Sequence, residues 1–271
     1  MRGLGILLAL VLAVLASACG GSEPAAEQAP QDAIVLAASK TNDAGTYKAD
    51  INGKMDVAGQ SIDMSGTGEF DGAQQRGHMS YAMSLNGQDV DMEMVFAYPA
   101  IYMQFPPEAG PLPGGKTWVK MDLEKLGQQA GFDFDQIMQV GQSDPSQGLD
   151  FLRGATGVQA VGDEDVRGVH TTHYTGVVDL RSLGTKYPEM KPSIDQLVEQ
   201  SGISRVPVEV WIDDNGFVRR MKQTLEGAGA GLGMQLDMTM TTELFDFGTD
   251  VSVEEPAPSE VADFGELLGQ N

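Results

Sequence analysis

Hydrophobic and polar residues alternate with a period of two through three pairs of segments, each joined by a short turn. The clearest pair lies in His78–Phe96, where Asn86-Gly87 can supply the two positive φ values of a type I′ hairpin turn. The turn predicts one apolar face, with Leu85 opposite Gln88, Met83 opposite Val90, Tyr81 opposite Met92 and Met79 opposite Met94. The other face, predicted to be solvated and acidic, pairs Ser84 with Asp89, Ala82 with Asp91 and Ser80 with Glu93.

A second hairpin is predicted from Tyr47–Val57 and Ile62–Phe70, joined at Ala58–Ser61. Pairing Val57 with Ile62 predicts Met55 opposite Met64, Gly53 opposite Gly66, Ile51 opposite Gly68 and Ala49 opposite Phe70. Glycine weakens a strand unless another group approaches the backbone closely. The three glycines on this apolar face therefore predict a helix or a ligand packed against the sheet.

A third hairpin is predicted in Val206–Leu225, with its turn at Asn215-Gly216. One face pairs Val210 with Met221 and Val206 with Leu225. The other face pairs Glu209 with Lys222 and Trp211 with Arg220. A salt bridge and a cation-π contact thus support the register that the turn predicts.

Other segments complete an antiparallel sheet covered by helices. Further strands are predicted at Ile101–Phe105, Thr117–Met121 and Val158–Leu180, and a last strand contains Met234, Leu236, Met238 and Met240. Helical spacing is found in Asp32–Thr41, in Asp122–Arg153 around Phe132–Val140, and in Pro192–Gly202, where Ser193-x-x-Gln196 forms a capping box. The helices need an apolar partner, and the apolar face of the sheet is the predicted one.

Methionine is concentrated in the predicted strands, which contain most of the 15 in the chain. Filling of an ordinary core explains such a pattern. However, methionine is a poor β-former, and its flexible, polarizable side chain suits a surface that adapts to a variable apolar partner. We therefore predict that the strands line an apolar ligand cavity with Met55, Met64, Met79, Tyr81, Met83, Met92, Met94, Phe96, Met103, Val210, Met221, Leu236, Met238 and Met240.

Residues 1–18 have the pattern of a lipoprotein signal peptide. Met1-Arg2 is a minimal positive region, Leu4–Leu15 is apolar, and Leu15–Cys19 resembles a bacterial lipobox with Ala16 in the position where leucine is usual. Cys19, the one cysteine of the chain, stands where diacylglycerol and palmitate would be attached. The alternatives are cleavage near Ala18 without acylation, or a membrane anchor, for which the apolar run is short.

The remaining sequence divides into three predicted parts. Residues 19–31 form the acylated cysteine and a flexible tether, residues 32–252 form a single domain, and residues 253–271 form an acidic tail with a weak helix around Val261, Phe264, Leu267 and Leu268. With a single cysteine, the chain cannot form an intramolecular disulfide. Such bonds are common in exported proteins, and the signal peptide predicts export. The formal net charge of −22 would repel phosphate backbones, so no nucleic-acid partner is expected.

The sequence contains no recognisable catalytic or metal-binding constellation. His170 and His173 point to opposite faces of a predicted strand, and His78 lacks a recognisable partner on the polar face. Asp213–Gly216 resembles a calcium loop only faintly, because no glutamate closes it. Gly227–Gly233 lacks the lysine of a phosphate loop and reads as a hairpin loop, and no Gly-x-Ser-x-Gly pattern occurs. We expect neither enzymatic activity nor a cofactor.

The lipobox, the tether, the first helix before Tyr47, the long hairpins and the runs Gly168–Asp179 and Pro207–Arg220 together resemble the LppX/LprG type of actinobacterial lipoproteins. A more distant resemblance is to the LolA/LolB lipoprotein carriers. The resemblance covers nearly the whole mature chain and consists of strand and turn patterns. It implies an α+β fold in which a strongly curved antiparallel β-sheet forms a half-barrel with short helices packed on its concave face.

The function implied by this resemblance is lipid carriage at the cell envelope. The expected protein is anchored to the outer face of the cytoplasmic membrane, binds acyl chains of a lipid or glycolipid, and carries or presents them, with an envelope transporter as a candidate partner. The competing hypothesis is a structural or regulatory lipoprotein of the same fold, with a filled core, that acts by protein contact. Co-purification of lipid with the unacylated domain would separate the two.

Overall fold

The computed structural model describes residues 29–57, 59–85, 88–104, 106, 112–125, 149, 151–188, 191–228 and 236–267. Within these ranges, strands β1 to β12 span Thr46–Val57, Gln60–Asp71, Arg76–Leu85, Gln88–Ala97, Ala100–Gln104, Trp118–Asp122, Ala155–Val166, Val169–Asp179, Arg205–Asp213, Val218–Ala228, Leu236–Phe245 and Val261–Asp263. They form one open, curved sheet in the order β12-β6-β5-β4-β3-β2-β1-β11-β10-β9-β8-β7. Neighbouring strands are antiparallel, except that β12 runs parallel to β6.

Three helices of seven residues or more lie in the described ranges: α1 (Pro30–Asp43), α2 (Leu180–Lys186) and α3 (Lys191–Ser201). The sequence prediction missed α2, which directly follows β8 and is capped by the Asp179 carboxylate, 3.0 Å from the backbone nitrogen of Ser182. Ser193 lies inside α3, so its prediction as the N-cap is wrong. None of the helices in the described ranges is long and apolar enough to cross a bilayer.

Two of the three predicted hairpin registers are confirmed. In β3–β4, Met83 pairs with Val90 and Tyr81 with Met92. The β9–β10 register is confirmed by its contacts as well as its pairing. Lys222 Nζ lies 2.8 Å from Glu209 Oε1, and the Arg220 guanidinium lies 5.2 Å from the centre of the Trp211 ring.

The predicted register of β1–β2 is wrong by two residues. Val57 pairs with Gln60 and Met55 with Ile62, so that Ala58-Gly59 is the whole connection. Gly59 has a φ of +85°, a conformation that favours glycine and permits the shorter turn. Because side chains alternate with a period of two, a slip of two residues leaves each of them on its predicted face.

The main core lies between the three helices and the part of the sheet formed by β7–β10. Its buried residues include Ile34, Ala37 and Ala38 of α1, Leu183 of α2, Ile194 and Val198 of α3, and Val178, Val208, Val210 and Val218 of the sheet. The helices therefore cover the same sheet face to which Val210 belongs, as predicted.

The C-terminal segment packs against the opposite face of the sheet. Val253 and Val261 contact a small buried cluster formed by Val95, Ala97, Ala100 and Tyr102. Arg76 Nη2 and the Tyr102 hydroxyl donate to the Glu255 carboxylate at 2.9 and 2.7 Å. Burial and this hydrogen bond raise the pKa of Tyr102 to about 12. The weak helix predicted from Val261 is corrected in part, because Val261–Asp263 is a strand and Phe264–Leu267 a helical turn.

Several sequence predictions concern residues outside the described ranges. They are the signal peptide and Cys19, the turn residues Asn86-Gly87, the helix around Phe132–Val140, Gly229–Gly233, Met234 and Leu268.

Candidate functional site

The strand register brings the methionines together on one face of the sheet. All eleven methionines of the described strands lie on it: Met55, Met64, Met79, Met83, Met92, Met94, Met103, Met121, Met221, Met238 and Met240. We call the surface that they form with Tyr81, Phe96 and Val210 the methionine face, to which the backbone register also assigns Leu236. Its opposite is called the polar face. All fourteen predicted cavity residues thus share one face, and their role in binding a ligand stays a prediction.

Rows of paired residues cross the methionine face from strand to strand. One row contains Met240, Gly53, Met64, Met83 and Val90 in β11, β1, β2, β3 and β4. The residues in this row are half-buried, and the row lies towards the turns that join β1 to β2 and β3 to β4.

Another row, farther from those turns, is more deeply buried. It contains Leu244, Ala49, Gly68, Met79 and Met94. Met79 and Ala49 are each only 2% exposed. The methionine face is thus more accessible near the turns and continues into packed core away from them.

The glycines of this face make room for large side chains of neighbouring strands. A Cβ atom on Gly66 would lie 2.9 Å from Cδ1 of Tyr81, and one on Gly77 would lie 2.4 Å from Cδ1 of Phe70. Phe70 in turn lies between two aromatic rings, those of Tyr47 at 5.4 Å and Phe96 at 6.1 Å. At these glycines the group that approaches the backbone is a side chain of the sheet itself, and neither of the two predicted partners, a helix or a ligand, is needed to explain them.

The methionine face carries no Asp, Glu, Lys, Arg or His side chain in the described parts of β1–β5 and β11. The polar groups that it does carry are neutral, among them the hydroxyls of Tyr47, Tyr81 and Thr242. Burial raises the pKa of both Tyr47 and Tyr81 above the usual value for tyrosine. Both hydroxyls are therefore protonated at neutral pH, and the surface is suited to an uncharged, apolar ligand.

Two of the predicted cavity residues lie where the helices already cover the sheet. Val210 is fully buried in the main core, and Met221 packs against that core. This end of the face is filled by the protein. The half-buried part, formed by β11 and β1–β5, is therefore the candidate site.

The polar face carries shallow grooves that the sequence did not predict. One has a volume of about 630 Å³ and a neighbouring one about 470 Å³, and they share Asn52, Ser65 and Ala82. Serine, threonine and alanine side chains form the bottom of these grooves, and longer acidic side chains such as Asp63 and Asp91 lie beside them. The alternation of small and bulky residues along β2 and β3 is the sequence signal from which these grooves could have been predicted.

His78 has a partner on the polar face, contrary to expectation. Its Nε2 lies 2.8 Å from Glu93 Oε2, and the Ser80 hydroxyl donates to the same oxygen at 2.8 Å. Histidine and serine both contact the carboxylate, and no contact joins them to each other. An activated serine nucleophile needs a base as its own hydrogen-bond partner, so this cluster lacks the geometry for nucleophilic catalysis.

The other two histidines contact different groups. His173 stacks on Trp211 with ring centres 4.1 Å apart, and its Nε2 lies 3.0 Å from Glu209 Oε2. His170 lies 3.3 Å from Asp214. Among the residues that the structure describes, no group of three His, Cys, Asp or Glu side chains could hold a metal ion.

The carboxylate of Asp213, a residue of the faint calcium-loop pattern, accepts hydrogen bonds from its own hairpin. Its Oδ1 accepts from the backbone nitrogens of Asn215 and Phe217 at 3.0 and 2.9 Å, and its Oδ2 accepts from Arg219 Nε at 2.7 Å. The carboxylate therefore closes the turn.

The chain is similar to two curated Streptomyces proteins. An uncharacterized 31.2 kDa protein of Streptomyces griseus is 33% identical over 163 residues, which are 58% of this chain and 51% of that protein. A putative lipoprotein of Streptomyces coelicolor is 29% identical over 181 residues, which are 65% of this chain and 53% of that protein. The chain thus spans about half the length of these relatives. No protein-family model matches it.

Two solved structures are similar over most of the chain. LprF from Mycobacterium bovis is 15% identical with a TM-score of 0.47, and the match covers 84% of this chain and 97% of LprF. The lipoprotein LppX from Mycobacterium tuberculosis is 15% identical with a TM-score of 0.45, covering 83% and 98%.

Proposed function

We propose that this chain is a membrane-tethered lipid-binding protein, and that the half-buried part of its methionine face holds the acyl chains of a lipid or glycolipid. The observation that carries the proposal is the placement of every methionine of the described strands on one face without a charged residue among them. Each acyl methylene removed from water contributes about 0.8 kcal/mol to binding. The protein carries or presents the lipid and performs no reaction on it.

The size of the accessible region supports this role. From β11 through β1 to β5 the face crosses six strands, and five spacings of about 4.8 Å give a width of ~24 Å before curvature. Methionine side chains can adjust their rotamers to acyl chains of different length and branching. Such a surface suits a class of lipids more than a single molecule.

The proposed location follows from the N-terminus and from one relative. Cys19 follows an apolar segment with a lipobox-like end, and the Streptomyces coelicolor relative is named a putative lipoprotein. We place the domain at the outer face of the cytoplasmic membrane, held by a lipid on Cys19. An envelope transporter is the candidate partner.

A second candidate function is supported by the buried part of the face. Val210 and Met79 are 0% and 2% exposed. If packing of this kind extended over the whole face, the chain would be a lipoprotein of the same fold that acts through protein contacts. The two functions differ in whether acyl chains bind to the methionine face of the sheet.

The experiment compares lipid content between variants of the full chain. The chain with Cys19→Ala is purified, and its lipid is extracted and measured by mass spectrometry. Met83→Lys and Ser84→Lys are added separately, because these neighbours lie on the methionine face and the polar face, respectively. We expect about one lipid per chain, lost in Met83→Lys and retained in Ser84→Lys, with equal thermal stability of both variants as the folding control.

Two results would overturn the proposal. One is a folded chain that contains no lipid and takes none up from vesicles of a bacterial lipid extract. The other is lipid that remains bound in Met83→Lys at the level of Ser84→Lys. The first result would favour the protein-contact function.

A further inference from the structure

Four methionines surround Gly53 on the methionine face. Gly53 pairs with Met64 of β2 on one side and with Met240 of β11 on the other. Met55 lies two residues farther along the same strand, and its partner on β11 is Met238. Of the glycines that the structure describes on this face, Gly53 alone has methionine as both cross-strand partners. The four thioethers thus come from three adjacent strands around a position without a side chain.

The space left by Gly53 is already used by one of these methionines. A Cβ atom on Gly53 would lie 3.0 Å from Cε of Met64 and 3.8 Å from Cβ of Met64. The side chain of Met64 therefore turns towards β1, and its terminal methyl group lies where a side chain of Gly53 would be. Because this methyl group is bonded to Sδ, the Met64 thioether is directed towards the centre of the group of four.

The strand pairing brings the other three sulfurs within reach of the same point. Directly paired residues of an antiparallel ladder have Cβ atoms about 4.5–5.5 Å apart, and diagonal neighbours are about 7–8 Å apart. Met240 is directly paired with Gly53, and Met238 is its diagonal neighbour. A methionine side chain is unbranched and has three rotatable bonds, so each of the four can place its sulfur over Gly53 without movement of the backbone.

The group of four is accessible from solvent and contains no charge. Met55, Met64, Met238 and Met240 are all half-buried, and they lie towards the turn that joins β1 to β2. No Asp, Glu, Lys, Arg or His side chain lies on this face in the described parts of β1–β5 and β11. An ion arriving from solvent can therefore reach the thioethers, and the side-chain ligands available to it here are neutral sulfur atoms.

Neutral thioether ligands restrict the metal that can bind. Methionine sulfur is a soft ligand that selects Cu(I), whereas Ca²⁺, Mg²⁺ and Mn²⁺ need oxygen ligands and Cu(II) prefers nitrogen and oxygen. Zn²⁺ is bound by thiolate, imidazole or carboxylate groups, none of which is present on this part of the face. The formal net charge of −22 attracts a monovalent cation to the chain and offsets part of the cost of bringing it to an apolar surface.

We infer that Met55, Met64, Met238 and Met240 bind one Cu(I) ion through their sulfur atoms, over the position of Gly53. Each sulfur donates a lone pair to the metal, and no electron is transferred. Thioethers carry no proton, so binding releases none, and the affinity is independent of pH, unlike that of cysteine or histidine sites. The inference goes beyond the proposed function and does not depend on it.

The test measures binding of Ag(I), a soft monovalent ion that does not change its oxidation state in air, and then of Cu(I). The full chain carries Cys19→Ala, because the one thiol of the chain would bind the same ions. It is labelled with ¹³C in the methionine methyl groups and titrated with silver nitrate. We expect one Ag(I) per chain, with the methyl signals of the four methionines shifting first. Cu(I) is titrated without oxygen in competition with bicinchoninate, and the same stoichiometry is expected.

The variants replace sulfur by carbon and keep the volume of the side chain. Met64→Leu and Met240→Leu are each expected to weaken Ag(I) binding at least about tenfold, since loss of even an outer partner of a metal ligand costs about 10–100-fold in affinity. Met92→Leu is the matched control, because it makes the same change on the same face but on β4, where Met92 pairs with Tyr81. Exchange of methionine for leucine is well tolerated in a core, so all three variants should remain folded.

Several outcomes would overturn the inference. Equal weakening by Met92→Leu and Met64→Leu, or simultaneous shifts of all methionine signals with several ions bound, would show unspecific binding to thioethers. An affinity that falls steeply between about pH 8 and 5.5 would assign the ion to histidine or carboxylate groups. A folded chain that binds no Ag(I) would overturn the metal site and leave acyl binding standing, whereas one bound Ag(I) on a chain that takes up no lipid would support the metal site and overturn the proposed function.

Discussion

Replacement of Asp213 by alanine tests how the β9–β10 hairpin is held together. The Asp213 side chain is 1% exposed, and it accepts two backbone N–H bonds and one from Arg219, whose side chain is 18% exposed. Arg219 also lies 4.9 Å from the centre of the Phe247 ring. One substitution thus removes the partner of a largely buried cation and of two amides in the turn.

The expected loss of stability follows from these three contacts. Removal of one member of a buried ion pair costs about 3–5 kcal/mol, because the remaining charge is left without compensation. Part of this is relieved here, since Arg219 can move towards solvent, so we expect about 3 kcal/mol. That is a large fraction of the roughly 5–15 kcal/mol typical for a folded domain. Asp213→Asn keeps one oxygen for the amides and should lose about 1–2 kcal/mol.

The assay is urea unfolding monitored by tryptophan fluorescence, because Trp211 lies on the hairpin being tested. Asp214→Ala is the matched control. The neighbouring Asp214 side chain is 80% exposed and lies 3.3 Å from the exposed His170 side chain. An exposed pair of this kind contributes about 0–1 kcal/mol. The midpoint of Asp214→Ala should therefore stay close to that of the unsubstituted chain.

The reasoning is refuted if Asp213→Ala and Asp214→Ala unfold at the same urea concentration. It is also refuted if calcium restores the stability of the unsubstituted chain after chelation, because the Asp213 carboxylate would then be a ligand and not the closing group of the turn.

Two further predictions concern a carboxylate and a glycine. The hydrogen bond from Lys222 holds the pKa of Glu209 below its usual range, so its stabilisation is complete above the unfolded pKa of about 4.3 and is lost as the pH falls through the folded pKa. Glu209→Gln should therefore flatten the decline of thermal stability in that acidic range, and an unchanged pH profile would contradict this. Gly77→Ala should cost about 1–3 kcal/mol in urea unfolding, because its Cβ would lie 2.4 Å from the Phe70 ring, which is confined between two other aromatic rings. A variant as stable as the parent would show that Phe70 can move.

The local features of the fold could be predicted from the sequence. The pairs of β3–β4 follow from Asn86-Gly87, because a two-residue turn of this type permits one register. In β9–β10 the pairs from Trp211–Arg220 onwards are as predicted, but the connection runs from Asp214 to Phe217, and a register shift between Val218 and Arg220 compensates for its length. The period of two then assigns every side chain to a face, including all the predicted cavity residues. Ala58–Ser61 is less restrictive, and the register predicted from it was wrong by two residues.

The tertiary structure alone decided which strands meet. β1 pairs with β11, nearly 200 residues away in the sequence, so Met55 lies opposite Met238 and Ile51 opposite Thr242. No turn connects these strands, and their pairing depends on the packing of the whole sheet. The same holds for the C-terminal segment, whose Glu255 is recognised by Arg76 and by a hydroxyl on β5.

The candidate site combines both kinds of information. Its apolar character is local, because alternation along each strand suffices to place methionines on one side. Its continuity across the sheet is not local, since Met238 and Met240 of β11 lie opposite Met55 and Gly53 of β1 only through the β1–β11 ladder. Residue pattern determines what a strand presents on each face, whereas long-range pairing, selected by the packing of all strands together, determines what lies beside it.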